Sequence, residues 1–132
     1  MSFKFSKRSL ERLHTCHIDL QRICVELIKE LDVTILCGHR GEKDQNTAFI
    51  NGRSKLQWPR SKHNRFPSEA VDLAPYSKSV KDGVDWTNIP AFLDMCKRIE
   101  RIAKELGVKI RLGRDFSFRD YPHLELHDKA KK

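Results

Sequence analysis

The sequence predicts a small α+β domain, a short and mainly antiparallel sheet packed with helices. Three observations predict it. Two stretches repeat apolar residues at helical spacing, several short apolar or β-branched runs are separated by turn residues, and the two kinds of element mix without a βαβ rhythm. The chain has 132 residues, 39% of them hydrophobic, which suits one core and leaves no room for a second domain of ordinary size. The expected organisation is an N-terminal helical segment over about 1–31, a core over about 32–127 and a charged tail over 128–132.

The first periodic run is Leu20, Ile23, Cys24, Leu27, Ile28 and Leu31, one apolar face with Asp19, Arg22, Glu26 and Lys29 turned outward. Val33 to Cys37 is short and β-branched at Val33, Thr34 and Ile35, and Gly38 ends it, which predicts a strand. Glu42 to Ile50 predicts a short helix stopped by Asn51-Gly52. Arg53 to Ser68 carries Pro59 and Pro67 and little periodicity, so it is expected to be a long loop, and such loops in small domains are usually functional or disordered. Glu69 to Ala74 predicts a strand with Val71 and Leu73 on one face and Ala70, Asp72 and Ala74 on the other. A second amphipathic helix carries Phe92, Cys96, Ile99, Ala103 and Leu106 and ends at Gly107. Val108 to Leu112 and Pro122 to Leu126 predict two more strands, joined by a loop over Gly113 to Asp120.

Net charge is +8 and the sequence pI is about 9.5, which favours polyanions: nucleic acid, anionic lipid or the anionic bacterial wall. The sign does not choose among them, and part of the excess is the tail of Lys129, Lys131 and Lys132, expected to be a solvated end. No run is apolar and long enough to span a membrane, and Met1 to Leu13 has no apolar core of a secretory signal, so the expectation is a protein held in the cytoplasm until something releases it. The four cysteines, Cys16, Cys24, Cys37 and Cys96, form no CxxC pair and are expected to be reduced and buried.

The last strand is the richest in chemistry. Leu124 and Leu126 share one face, so His123, Glu125 and His127 share the other. Asp72 lies among Ala70, Val71, Leu73 and Ala74, where a carboxylate needs an Arg, hydrogen bonds or a metal as partner. His63 closes Ser61-Lys62-His63 in the long loop, and on spacing alone it is a weak candidate. Three such ligands, an open position for water and a nearby carboxylate are the requirements of a mononuclear zinc hydrolase.

The run Ser61-Lys62-His63-Asn64, then Pro67-Ser68, then Ala70-Val71-Asp72 resembles the S-x-H-(x)n-A-x-D signature of zinc-dependent bacterial wall peptidases. These are the M15 group, with D-Ala-D-Ala carboxypeptidases and the L-Ala-D-Glu endopeptidases used as phage endolysins. Asp120-Tyr121-Pro122-His123-Leu124-Glu125 resembles the second half of their site, and Gly38-His39-Arg40, Gln45, and Gly52-Arg53 through Leu56-Gln57-Trp58-Pro59 resemble the upstream region of the endolysin branch. The resemblance covers roughly Val33 to Leu126 and implies a Hedgehog/DD-peptidase-like fold. It further implies one zinc ion on His63, Asp72 and His123, with Asp120 as the catalytic carboxylate. Many relatives have Glu where this chain has Asp120, and Glu69 is the competitor, on the opposite strand face from Asp72.

Arg40 is expected near the site, to bind an oxyanion or a substrate carboxylate, or else to pair with a structural acid. Glu125 is expected either to orient a ligand histidine or to form a surface salt bridge. Gln45, Trp86 and Tyr121 are further candidates for supporting or substrate contacts, and Trp58 for covering the site; the alternative for Trp86 and Tyr121 is packing. His14 and His17 are expected on the solvated surface, His39 lacks a matched role, and His127 is the rival of His123.

The function implied is hydrolysis of a bond in the peptidoglycan stem peptide, L-Ala-D-Glu in preference to D-Ala-D-Ala. A monomer is expected, attracted by charge to the anionic wall and released by a holin, with no nucleic-acid or membrane partner. The reading from another class is a nucleic-acid-binding protein or metal nuclease, motivated by the charge. The basic residues are spread over every segment and do not form the stacking or recognition pattern such proteins use.

Overall fold

The computed structural model describes residues 3–128. The tail lysines Lys129, Lys131 and Lys132 lie outside the described residues. Among the described residues, four helices and four strands follow in chain order: α1 (Lys7–Leu13), α2 (Ile18–Leu27), β1 (Val33–Cys37), α3 (Glu42–Ile50), β2 (Ala70–Pro75), α4 (Ile89–Leu106), β3 (Ile110–Leu112) and β4 (His123–Leu126). Short 3-10 turns occupy Lys62–Asn64 and Gly113–Asp115. The strands form one sheet in the order β1-β2-β4-β3, antiparallel at every pairing. This is the α+β class the sequence predicts.

The N-terminal helical segment holds two helices. It breaks into α1 and α2 because Thr15 to His17 bonds sideways: His17 N–H donates to the Ser68 carbonyl and Ser68 N–H to the Thr15 carbonyl, each at 2.8 Å. His17 is also more than solvated surface, since its Nδ1 accepts from Asp19 N–H at 3.0 Å and caps α2. His14 is exposed.

Helix α4 supplies the largest apolar stripe, with Phe92, Met95, Cys96, Ile99 and Ile102 buried against α2 and the sheet. Burying each large apolar side chain contributes about 1.5–3 kcal/mol. Asn88 caps its start, and Gly107 ends it in the left-handed region at φ 72°, which few residues other than glycine adopt cheaply. Cys16, Cys24 and Cys96 are buried free thiols, and burial pushes Cys16 up to about 12 and Cys96 up to about 11. No helix among the described residues is long and apolar enough to cross a membrane.

Two close approaches bring loops to the sheet. A Cβ on Gly38 would collide with the Thr15 hydroxyl and the Arg12 carbonyl, so only glycine lets the end of β1 lie against the end of α1. A Cβ on Gly113 would collide with the Asp120 carbonyl. Its absence lets the 113–120 loop fold back, with Asp120 N–H donating to the Gly113 carbonyl at 2.9 Å.

Candidate metal centre

Asp72 is the meeting point. On β2 it stands opposite His123 of β4 on one side and Cys37 of β1 on the other, so three neighbouring strands contribute to one row. Oδ1 of Asp72 lies 3.3 Å from His63 Nε2 and 3.2 Å from His123 Nδ1. The two imidazoles meet edge-on with centroids 5.3 Å apart.

His63 is held by its own turn. Ser61 Oγ accepts from His63 N–H, and Asn64 Oδ1 accepts from Ser61 N–H, which closes a capping box around Lys62–Asn64. Nδ1 of His63 is 2.8 Å from the Gly38 carbonyl, an acceptor only, so Nδ1 carries the proton and Nε2 presents its lone pair. That Nε2 is buried and has no hydrogen-bond partner. A lone pair facing a carboxylate oxygen calls for a cation between them, a proton or a metal ion. Ligands about 2.0–2.1 Å from a tetrahedral zinc stand roughly 3.3 Å apart, so both separations at Asp72 suit neighbouring ligands on one ion.

Without a metal, protons fill this role. Burial opposes a charged His63, but Asp72 outweighs it and pushes the imidazole up to about 10. His123 is raised in the same way, against burial, to about 9 by Asp72 and Glu125. Burial would raise the Asp72 carboxyl, yet the two imidazoles hold it far below the usual carboxylate range.

A second layer fixes these groups. His123 Nε2 is 2.8 Å from Glu125 Oε1, leaving Nδ1 directed at Asp72. Glu125 is also paired with Lys62 at 2.9 Å and lies 3.7 Å from Arg111, and despite burial these partners bring its carboxyl down to about 2. Glu125 therefore makes both the histidine contact and the salt bridge. Arg40 reaches Asp72 Oδ2 at 3.5 Å and donates to Gln45 Oε1 at 3.1 Å. Gln45, fully buried, also accepts from Asn64 and donates to Ser54 Oγ and the Leu56 carbonyl, tying the long loop to the site.

Asp120 stands at the exposed rim. Desolvation against the cleft wall and the charge of Asp72 hold its carboxyl above the ordinary range. Its carbonyl accepts from His123 N–H at 3.1 Å, which anchors the loop to the first residue of β4. Two donor sets overlap at Asp72, each with atoms mutually within 4.8 Å: Cys37, His63 and Asp72, and Asp72, Asp120 and His123. His63, Asp72, Asp120 and His123, but not Cys37, line a cleft of about 670 Å³ that Phe116, Phe118 and Arg119 also line.

Several expectations change here. Trp86, more than half exposed, stacks on Phe92 at 5.7 Å, and Tyr121 packs against the core beside Phe92; neither lines the cleft. Trp58 is half-buried and does not line the cleft. Cys37 is only half-buried and sits at the site, where burial raises its thiol but His63 outweighs that and holds it below the ordinary range. His39 packs edge-on against Phe66, and His127 follows the end of β4 with its N–H on the Lys109 carbonyl. Glu69 pairs with Arg65. The sequence reading missed Cys37, Lys62 and the aromatic pair Phe116 and Phe118; aromatics two apart in a polar loop, just before Asp120, were the available signal for the last.

In class the molecule is a peptidase of α+β fold. Its fold matches that of the Serratia marcescens L-Ala D-Glu endopeptidase ChiX, with a TM-score of 0.78 over 96% of this chain and 92% of that one at 23% identity. The chain belongs to the phage L-alanyl-D-glutamate peptidase family, whose model matches residues 1–130. The L-alanyl-D-glutamate peptidase of Escherichia phage T5 is 35% identical over 135 residues, spanning 100% of this chain and 92% of that protein.

Proposed function

We propose that the chain hydrolyses the L-Ala-D-Glu bond of peptidoglycan stem peptides at a single zinc centre, with His63, Asp72 and His123 as ligands and Asp120 as the catalytic acid and base. The observation that carries the metal reading is the buried His63 Nε2, without a hydrogen-bond partner, facing the Asp72 carboxylate at 3.3 Å. Family membership supports the choice of bond. Zinc held there would polarise the scissile carbonyl and lower the pKa of a nearby water.

The chain's own residues supply the remainder. Asp120 accepts the proton of the attacking water and returns it to the leaving amine, and a carboxyl raised above its ordinary range suits both transfers. Arg40, held by Gln45, offers its guanidinium to the developing oxyanion or to a substrate carboxylate. Glu125 keeps His123 oriented toward the ion. The net charge of +8 supports attraction to the anionic wall, and membership in a phage family supports action as a monomeric endolysin after release through a holin.

Metal analysis combined with digestion of purified peptidoglycan tests the reading. New amino-terminal D-Glu from zinc-loaded protein is expected. Free D-Ala would move the assignment to a carboxypeptidase, and no product from metal-loaded protein would overturn both.

A further inference from the structure

Strand β1 pairs regularly with β2 as far as Ile35, which stands opposite Leu73 in the core. The register then slips, and Cys37 rather than Leu36 faces Asp72. Directly opposed residues of an antiparallel pair project from the same face. The bulge therefore turns Cys37 away from the apolar face occupied by Val33 and Ile35 and onto the face of Asp72, as bulges beside functional sites commonly do. There its Sγ joins donor atoms of His63 and Asp72, all within 4.8 Å of one another. The His63 side chain is 3% exposed, and its Nε2, without a hydrogen-bond partner, is aimed into the same group.

We propose that Cys37 is a metal ligand of this centre: its thiolate binds the same ion as His63 and Asp72 in the resting protein. The proposal rests on the metal reading above and adds a sulfur donor to it. Thiolate is a good ligand for zinc and cobalt, and mixed sulfur, nitrogen and oxygen sets suit borderline ions. On binding, the S–H bond breaks, the proton leaves to solvent and a sulfur–metal bond forms, so no oxidant or reductant is needed. Bound in the resting protein, the sulfur would hold the position that an attacking water would need during turnover.

Cobalt(II) substitution of the full chain reads the sulfur directly. The wild-type protein is expected to show a sulfur-to-cobalt charge-transfer band in the near ultraviolet, lost in Cys37→Ser and kept in Cys96→Ser, whose thiol lies in the core. A cobalt-loaded wild type without that band, or with a band that survives Cys37→Ser, overturns the proposal. X-ray absorption on the zinc-loaded wild type serves if Cys37→Ser does not fold: a sulfur scatterer at about 2.3 Å is expected, and a shell of nitrogen and oxygen alone overturns it. Cobalt bound only through nitrogen and oxygen defeats Cys37 and leaves the zinc reading standing, whereas no metal binding defeats both.

Discussion

Asp72 and His123 face each other across one rung of the sheet, with the imidazole Nδ1 3.2 Å from the carboxylate Oδ1. Sheet register thus sets this distance, and His63 is added to it from a loop pinned by the Gly38 carbonyl. Strand geometry holds two donors rigidly while the third depends on a long connection.

Removing the donors should separate metal binding from turnover. His63→Ala, Asp72→Ala and His123→Ala should each lose zinc, measured as metal content after dialysis. Asp120→Asn should retain zinc while kcat on peptidoglycan falls by about 10²–10⁴-fold, the usual contribution of a positioned acid or base. An active Asp120→Asn would move the base to another carboxylate.

Glu125→Gln keeps the shape of the side chain but weakens its hold on His123 Nε2–H and on Lys62. Zinc affinity should fall by about 10–100-fold, as expected for a carboxylate behind a ligand histidine, and competition with a chelator measures it. Unchanged affinity would reduce Glu125 to a salt-bridge partner.

Gly38→Ala tests the packing that carries the centre. The added methyl meets the Arg12 carbonyl and the Thr15 hydroxyl, and the backbone that orients His63 has to shift. A loss of about 1–3 kcal/mol in denaturant unfolding is expected, with weaker zinc binding. Stability and affinity equal to wild type would show that the two segments separate freely.

The metal-free protein should respond to pH in a defined sense. His63 at about 10 and His123 at about 9 lie above the ordinary histidine value of ~6.5, so their stabilisation is complete below that pH and is lost as pH rises through 9 to 10. Asp72 is lowered, and its share is lost as pH falls below about 4. Calorimetry of chelator-treated protein should show Tm falling from pH 7 to 10. Zinc-loaded protein should not show this fall, because the ion takes the place of the protons. A flat Tm in metal-free protein over that range would contradict the ion-pair cluster.

With a net charge of +8, binding to purified walls should weaken as salt rises from about 0.05 to 0.5 M, since the Debye length shrinks well below 10 Å. Cosedimentation measures this directly, and salt-indifferent binding would remove the electrostatic account.

Local pattern carried much of this molecule. The stripe from Phe92 to Leu106 and its stop at Gly107, the helix from Glu42 to Ile50 before Asn51-Gly52, and the alternation that sets Asp72 and His123 apart from their leucine neighbours are all properties of adjacent residues. Tertiary structure alone decided the rest. The break between α1 and α2 depends on Ser68, far along the chain, and the pairing of Glu125 with Lys62 depends on a loop meeting a strand. Cys37 is the sharpest case: simple alternation puts it in the core with Val33 and Ile35, and one slipped residue against β2 turns it toward Asp72. Periodicity along a chain determines which residues share a face, but only pairing between strands determines which faces meet and in what register.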